Sequence, residues 1–175
     1  MSKNQMQNID ILFDEKLKEL KELLPKLKEG INCAELTLTS VLDILGVDNY
    51  LFHNLAIPLA AGFGGYKSNK GWKGACGAVC GGCAAIGVII GGHERMDNDM
   101  MLEAGLKAAK FAKEFENEFH TVVCSDLCDF DFSEPEAVMQ YRENNTWSKK
   151  CYHFVIWAVD EIRRITKEEL KNKWE

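Results

Sequence analysis

The sequence predicts an all-α fold, a single-domain helical bundle around a central helix rich in glycine and cysteine. Three observations predict it. Apolar residues recur at helical spacing along most of the chain, helix-starting and helix-stopping residues punctuate those stretches, and no strand signal exceeds Thr121-Val122-Val123. No internal repeat is present, and 175 residues with 46% apolar content suffice for one domain spanning 1–175 with its own core.

Ile11 to Leu27 places Leu17, Leu20, Leu24 and Leu27 on one face among Lys and Glu, an amphipathic surface helix that Gly30 stops. Asn32 reads as an N-cap with Glu35 three residues on, starting a helix from Cys33 to Leu45 that ends at Gly46. Asn49 caps a further helix, Tyr50 to Ala61, which Pro58 must kink or divide. Gly62 to Gly74 is a loop, glycine-rich and carrying Lys67, Lys70 and Lys73.

The central helix follows from Cys76 to Ile90 and stops at Gly91-Gly92. Its glycines cost about 1 kcal/mol each against alanine, and what they permit is close approach by a neighbouring backbone. Asp97 or Asp99 opens the next helix, which runs to about Phe119 with Met100, Met101, Ala104, Ala108, Phe111, Ala112, Phe115 and Phe119 as its apolar stripe, the methionines reading as core packing. Val122 to Phe132 has no sustained period. Ser133 with Glu136 forms a capping box for a short helix from Pro135 to Arg142, which Asn144-Asn145 ends. Ser148 to Ile165 is the last core helix. Thr166 with Glu169 is a second box, opening a terminal helix.

Composition excludes several classes of function. A net charge of -6 without a basic block or an aromatic-basic patch argues against nucleic acid as a partner. Met1 to Asp10 is polar and lacks the apolar run of a secretory signal. Residues 75–92 carry no charge, a length at the threshold of a membrane span. Their glycine content and the tight flanks of Lys73 and His93-Glu94-Arg95 favour a central helix wrapped by others, so no membrane role is expected. Seven cysteines cannot pair completely, which points to a reducing, cytoplasmic compartment.

The cysteines are the candidate chemistry: Cys33, Cys76, Cys80, Cys83, Cys124, Cys128 and Cys151. Cys76, Cys80 and Cys83 stand at i, i+4 and i+7, along one helix face. Cys124 and Cys128 are also four apart. Cys33, Cys76 and Cys151 fall near predicted helix starts, where free N–H groups and the positive end of the dipole favour a thiolate. Cys80, Cys83 and Cys128 taken singly read equally as small buried apolar residues, while position makes that the weaker reading for Cys33, Cys76 and Cys151. Cys80-Gly81-Gly82-Cys83 has CxxC spacing, but inside an apolar helix rather than after a strand, which is not the setting of a thioredoxin site. Donors scattered this widely suit an iron–sulfur cluster assembled from several helices better than a zinc knuckle built from close pairs. A dithiol–disulfide couple and a zinc site both stay open. Loop lysines nearby would offset thiolate charge.

These residues carry a resemblance. Asn32-Cys33-Ala34, then Ala61-Gly62-Phe63-Gly64-Gly65, then Cys76-Gly77-Ala78-Val79-Cys80-Gly81, then the isolated Cys124 and Cys151 resemble the family of redox proteins named for the pattern C_GCAxxG_C_C, over residues 30–160. Gly82-Cys83-Ala84-Ala85-Ile86-Gly87 spells the middle element literally, but the order of glycine-rich loop then CGAxxG favours Cys76. The resemblance implies a small helical protein with four shared cysteines, Cys33, Cys76, Cys124 and Cys151, that are redox-active or metal-binding. It extends to the iron–sulfur domain of split-Soret cytochromes, but no cysteine is followed by histidine, so covalent haem has no attachment signal. Cys80, Cys83 and Cys128 are additional to the shared four.

His53, His93, His120 and His153 read as structural or exposed, and no Ser-His-Asp order, HExxH or phosphate loop accompanies them. The sequence therefore supports an iron–sulfur redox or electron-transfer protein, with a metal-free thiol–disulfide protein or a zinc-holding or structural module as alternatives. An electron carrier implies a redox partner protein. The long helices at the N-terminus and over 94–119 fit either a homodimer or burial within one chain.

Overall fold

The computed structural model describes residues 8–27, 32–48 and 50–174. Its described residues form ten helical segments, and their only β pairing is two isolated bridges. The all-α expectation holds. No helix among the described residues is long and apolar enough to cross a membrane.

Helix α1, Ile9–Leu23, starts where Asn8 accepts a 2.8 Å hydrogen bond from the Asp10 N–H. It buries Ile9, Phe13, Leu17 and Leu20, and a 3₁₀ turn over Leu24–Lys26 closes it, with Pro25 at a position that needs no N–H. The expected stop at Gly30 lies outside the described residues. Helix α2, Cys33–Ile44, is capped by Asn32, whose side chain accepts from the Glu35 N–H at 3.0 Å. Eight of its residues are buried, so it runs through the core rather than over it. Asn32 also donates to the Ile57 carbonyl at 3.0 Å, tying the start of α2 to the turn after α3.

Helix α3 spans Tyr50–Ala56 and passes into a 3₁₀ turn over Ile57–Leu59, so Pro58 divides the segment as expected; the Asn49 cap lies outside the described residues. The following loop holds an unexpected element. Residues Ala61–Gly65 form a left-handed turn, α4, in which all five φ angles are positive, including Ala61 at 52° and Phe63 at 59°. Left-handed backbone costs a non-glycine residue about 1–2 kcal/mol, so it persists only where surrounding structure enforces it. A short hairpin follows, bridged between Lys67 and Lys73.

Helix α5, Gly77–Gly91, is the centre of the fold. It packs between α2 on one side and α6, Asn98–Phe119, on the other, while α9, Tyr152–Ile165, and α1 lie beneath. Phe111 and Phe115 of α6 meet Val155, Ala158, Val159 and Ile162 of α9 in the core around it. Asp97 caps α6 through the Met100 N–H at 2.8 Å. Two short helices, α7 over Cys124–Cys128 and α8 over Ala137–Glu143, fill the segment without periodicity. The last helix, α10, Lys167–Lys173, docks on α5, where the indole of Trp174 donates to the Ile89 carbonyl at 3.0 Å.

Three local expectations are corrected. The Ser133–Glu136 box does not form: Ser133 bonds Asp131 instead, and α8 begins at Ala137 without a side-chain cap. Nor does the Thr166–Glu169 box, because the Thr166 hydroxyl donates back to the Ile162 carbonyl at 2.7 Å and Glu169 pairs with Lys107 at 2.9 Å. The predicted helix from Ser148 is interrupted. Trp147–Cys151 is a π turn, and regular helix begins only at Tyr152. The Trp147 indole donates to the Leu24 carbonyl at 2.6 Å and the Ser148 hydroxyl to the Pro25 carbonyl at 3.1 Å, which fixes that turn against the end of α1.

Candidate functional site

Four cysteines stand at four helix starts. Cys33 is the first residue of α2, Cys76 is the N-cap of α5, Cys124 is the first residue of α7, and Cys151 closes the π turn as the N-cap of α9. These are the four that the sequence pattern singles out. A helix start carries free N–H groups and partial positive charge, so the positions of Cys33, Cys76 and Cys124 favour a sulfur anion, whereas at Cys151 the π turn runs on into α9 and the Tyr152 N–H is already bonded to Trp147.

Backbone pairing brings them together. Ala75 and Val123 form an antiparallel bridge, in which the Cys76 N–H donates to Val122 at 2.7 Å and the Cys124 N–H to Gly74 at 3.1 Å. Cys76 and Cys124 are therefore held side by side before either helix begins. The left-handed turn supports the bridge from behind. A Cβ on Gly74 would lie 2.0 Å from the Gly62 carbonyl oxygen, and one on Gly62 would lie 3.3 Å from the Cys124 Cβ, so neither glycine tolerates a side chain. Over Gly77 the missing side chain makes room for a thiol, since a Cβ there would stand 2.4 Å from the Cys33 sulfur.

The sulfurs form a row. The Cys76 thiol hydrogen-bonds the Cys33 sulfur, and Cys124 faces Cys76 electrostatically. Cys124 hydrogen-bonds Cys128, whose sulfur is 3.6 Å from that of Cys151. That separation is a thiol contact, far beyond the ~2.05 Å of a disulfide, and all seven cysteines are free. Cys76, Cys124, Cys128 and Cys151 are buried, and Cys33 is half-buried. Among the described residues no three His, Cys, Asp or Glu side chains close on a single ion, so the thiols make a chain of neighbours rather than a ready cage.

The protonation pattern is asymmetric. Cys33 is drawn down to about 7, first by the hydrogen bond from Cys76 and then by the N–H groups of Ala61 and Gly77, which outweigh burial. The left-handed turn supplies one of those groups. Cys76 is pushed well up, by its bond to Cys33, by burial and by the charges of Cys33 and Cys124. Cys128 and Cys151 are both pushed up, Cys128 chiefly through its bond to Cys124 and Cys151 chiefly through its bond to Cys128.

The remaining candidates separate. Cys128, additional to the family pattern, joins the row because α7 carries it one turn beyond Cys124. Cys80 and Cys83 do not join. They lie along the body of α5, half-buried, with burial raising them to about 12 and about 11; the Cys83 sulfur contacts the Ala108 carbonyl of α6 at 3.9 Å. The loop lysines do not face the thiols either. Lys73 pairs with Asp126 at 2.7 Å and Lys67 with Asp131 at 3.0 Å. The histidines serve elsewhere: His53 on Glu35 and Tyr50, His93 against Trp174, His120 in the left-handed cap of α6, His153 against Tyr152.

Sequence reasoning missed Tyr141. Its hydroxyl hydrogen-bonds Cys151, and its ring packs against Phe130 and Phe132 at centroid distances of 6.3 and 5.7 Å, capping the Cys151 end of the row. Nothing local marked it, because Tyr141 reaches Cys151 only across the break between α8 and the π turn.

No curated protein and no solved structure matches the chain. A family model does, over residues 31–165, a span that begins just before Cys33 and ends with α9. That match covers most of the chain, which therefore belongs to the family described as "Putative redox-active protein (C_GCAxxG_C_C)".

Proposed function

We propose that this redox-family protein is an electron carrier whose centre is an iron–sulfur cluster held by Cys33, Cys76, Cys124 and Cys151. The observation that carries the reading is the convergence of these four cysteines at four separate helix starts. The donor set fits such a group in kind: soft sulfur drawn from several elements, with helix-start N–H groups at Cys33 and Cys76 that favour negative charge. The bond of Cys76 to Cys33 and that of Cys151 to Cys128, and then burial, resist ionisation of Cys76 and Cys151. As ligands of a bound metal, Cys76 and Cys151 would meet the counter-charge they otherwise lack and would be held as thiolates. When bound, such a cluster supplies a one-electron couple. The chain's own part is to hold the sulfurs, exclude water at Cys76, Cys124 and Cys151, and lend helix-start N–H groups to the charge.

Anaerobic purification with iron, acid-labile sulfide, zinc and visible-spectrum measurements tests this. Brown protein with iron and sulfide in comparable amounts supports it. Colourless protein that takes up neither after reconstitution refutes it, and stoichiometric zinc in place of iron replaces it.

A second reading has its own observation, the Cys33–Cys76 pair with one sulfur drawn down and its neighbour pushed up. In it, the Cys33 thiolate attacks one sulfur of a substrate disulfide, breaking that bond and releasing one substrate thiolate. Cys76 then gives up its proton and displaces the second, leaving a Cys33–Cys76 disulfide and a reduced substrate. Thiol trapping before and after a disulfide oxidant decides it: an unchanged count of free thiols removes this reading.

A further inference from the structure

Helix α5 has no charged residue, yet it is not covered on all sides. A helix that is apolar all round belongs in an interior. Here Cys80, Cys83, Ala84, Gly87, Val88 and Gly91, spaced i, i+3, i+4, i+7, i+8 and i+11, remain half-exposed along one continuous face. The neighbouring face of α6 continues it. Met101 is 51% exposed and Leu102 and Leu106 are each 64% exposed, with Gly105 and Ala109 between and beyond them. From Cys80 to Gly91 and across Met101, Leu102, Gly105 and Ala109, the combined surface carries no charge in a chain of net charge -6.

Two glycines in this surface have no reason inside the chain. Gly77, Gly81 and Gly82 each meet another group within 2.4 Å of a would-be Cβ. A Cβ on Gly105 would meet nothing within 4 Å, and one on Gly87 would meet only the Met96 methyl at 3.9 Å. Each costs the helix about 1 kcal/mol relative to alanine without an internal return. The Cys83–Ala108 contact sets the antiparallel register of α5 and α6 and puts Gly87 level with Ala104 and Gly105. The two bare positions thus make one flat spot, suited to close approach of another helix.

We propose that this face is a self-association surface, on which a second copy of the chain docks with its own α5 and α6 about a two-fold axis. A two-fold interface sets a patch against itself, so any charge near the axis would meet its own like; this patch has none to oppose. The exposed area is on the order of 600 Å² per copy, at the upper end of the apolar patches monomers leave open, and two copies would bury about 1,200 Å², the lower edge of specific interfaces. The proposal does not depend on what the thiol row holds.

Sedimentation or light scattering on the full chain, over a range of concentrations, tests it with Gly87→Glu and Gly105→Glu. Gly105→Glu enters open space, Gly87→Glu meets only the Met96 methyl at ordinary contact distance, and both replace glycine by a better helix former, so a circular-dichroism melt at or above that of the unaltered chain is expected. The unaltered chain should show twice its 19.8 kDa mass, and each variant should weaken the dimer at least about a hundredfold, because an uncompensated carboxylate is buried beside its twin. Met139→Glu, on the exposed face of α8, should leave the mass at the dimer value. A monomeric unaltered chain overturns the proposal; if such a monomer co-sediments with phosphatidylcholine vesicles the face belongs to lipid, and if not, to a different protein. A dimer that survives both glycine variants but not Met139→Glu overturns it as well.

Discussion

The two ends of the CGAVCGGC stretch place cysteines under opposite conditions. Cys76 caps the start of α5, bonded to Cys33 and paired through the Ala75–Val123 bridge with the strand that leads into Cys124. Cys80 and Cys83 lie four and seven residues further on, where every α5 N–H is already engaged within the helix and the face opens outward. The residue type and the helix are the same; what differs is whether the sulfur meets free N–H groups and other sulfurs. The comparison teaches that density of cysteine along a sequence is a poor guide to a site, and that position relative to a helix start is a better one.

The largest expected effect follows from that contrast. Cys76→Ser should lower the iron bound per chain at least about tenfold after anaerobic preparation, and Cys151→Ser should lower it by less, since the Cys128 sulfur stands 3.6 Å from that of Cys151 as a replacement donor. Cys80→Ser and Cys83→Ser should leave iron content essentially unchanged. Iron and sulfide analysis of the four variants reads this directly, and equal losses in all four would erase the distinction between the two sets.

Next in size is the contrast between glycines. Gly77→Ala would press a methyl group to 2.4 Å from the Cys33 sulfur, and Gly105→Ala would enter empty space. Overpacking of that kind costs about 1–3 kcal/mol, whereas an unhindered helical Gly→Ala change gains up to about 1 kcal/mol. Urea unfolding in dilute solution should therefore move the two midpoints in opposite directions.

Much of this was legible in the sequence, for physical reasons that differ by element. The Asn32 cap and the stripes of α1, α6 and α9 are local patterns and formed in the main as read, but Met101, read as core, is 51% exposed on α6, and Leu27 lies past the end of α1. Cys33, Cys76 and Cys151 were legible because a helix start announces itself in a few residues, and Cys124 only through the family resemblance. Cys128 was not, because its place in the row depends on α7, five residues whose helical turn follows from the bridge at Ala75 rather than from their own period. The π turn depends on Trp147 reaching Leu24, 123 residues away. The left-handed turn puts Ala61 and Phe63 where their own preferences oppose it, and only the contact of Gly62 with Gly74 explains it.

The difference between the sets should also appear without metal, as reactivity. In metal-free protein, alkylation of Cys33 should follow a pH profile with its midpoint at about 7, and that of Cys83 one at about 11. The sign is fixed by chemistry: the thiolate is the nucleophile, so each rate rises with pH through the thiol's own midpoint. Near pH 8 the thiolate fractions differ by about a thousandfold, but a low-midpoint thiolate is intrinsically less nucleophilic, which leaves Cys33 ahead by about tenfold. Peptide mapping after timed iodoacetamide treatment separates the two sites.

The smallest effect concerns the loop lysines. Their nearness in sequence to Cys76 suggested that they offset thiolate charge, but Lys73 is occupied with Asp126 and Lys67 with Asp131. Both pairs are substantially exposed, where solvent screens them and each contributes at most about 1 kcal/mol. The depressed Cys33 midpoint is attributed instead to the Cys76 thiol and to the Ala61 and Gly77 N–H groups. Lys73→Met should accordingly leave the Cys33 alkylation midpoint near its original value, while Cys76→Ala, which deletes the first of those donors, should raise it. Titrating both variants beside the unaltered chain sets the two sources of stabilisation against each other. A larger rise for Lys73→Met than for Cys76→Ala would mean that charge from the loop, and not hydrogen bonding at the helix starts, holds the Cys33 sulfur as an anion.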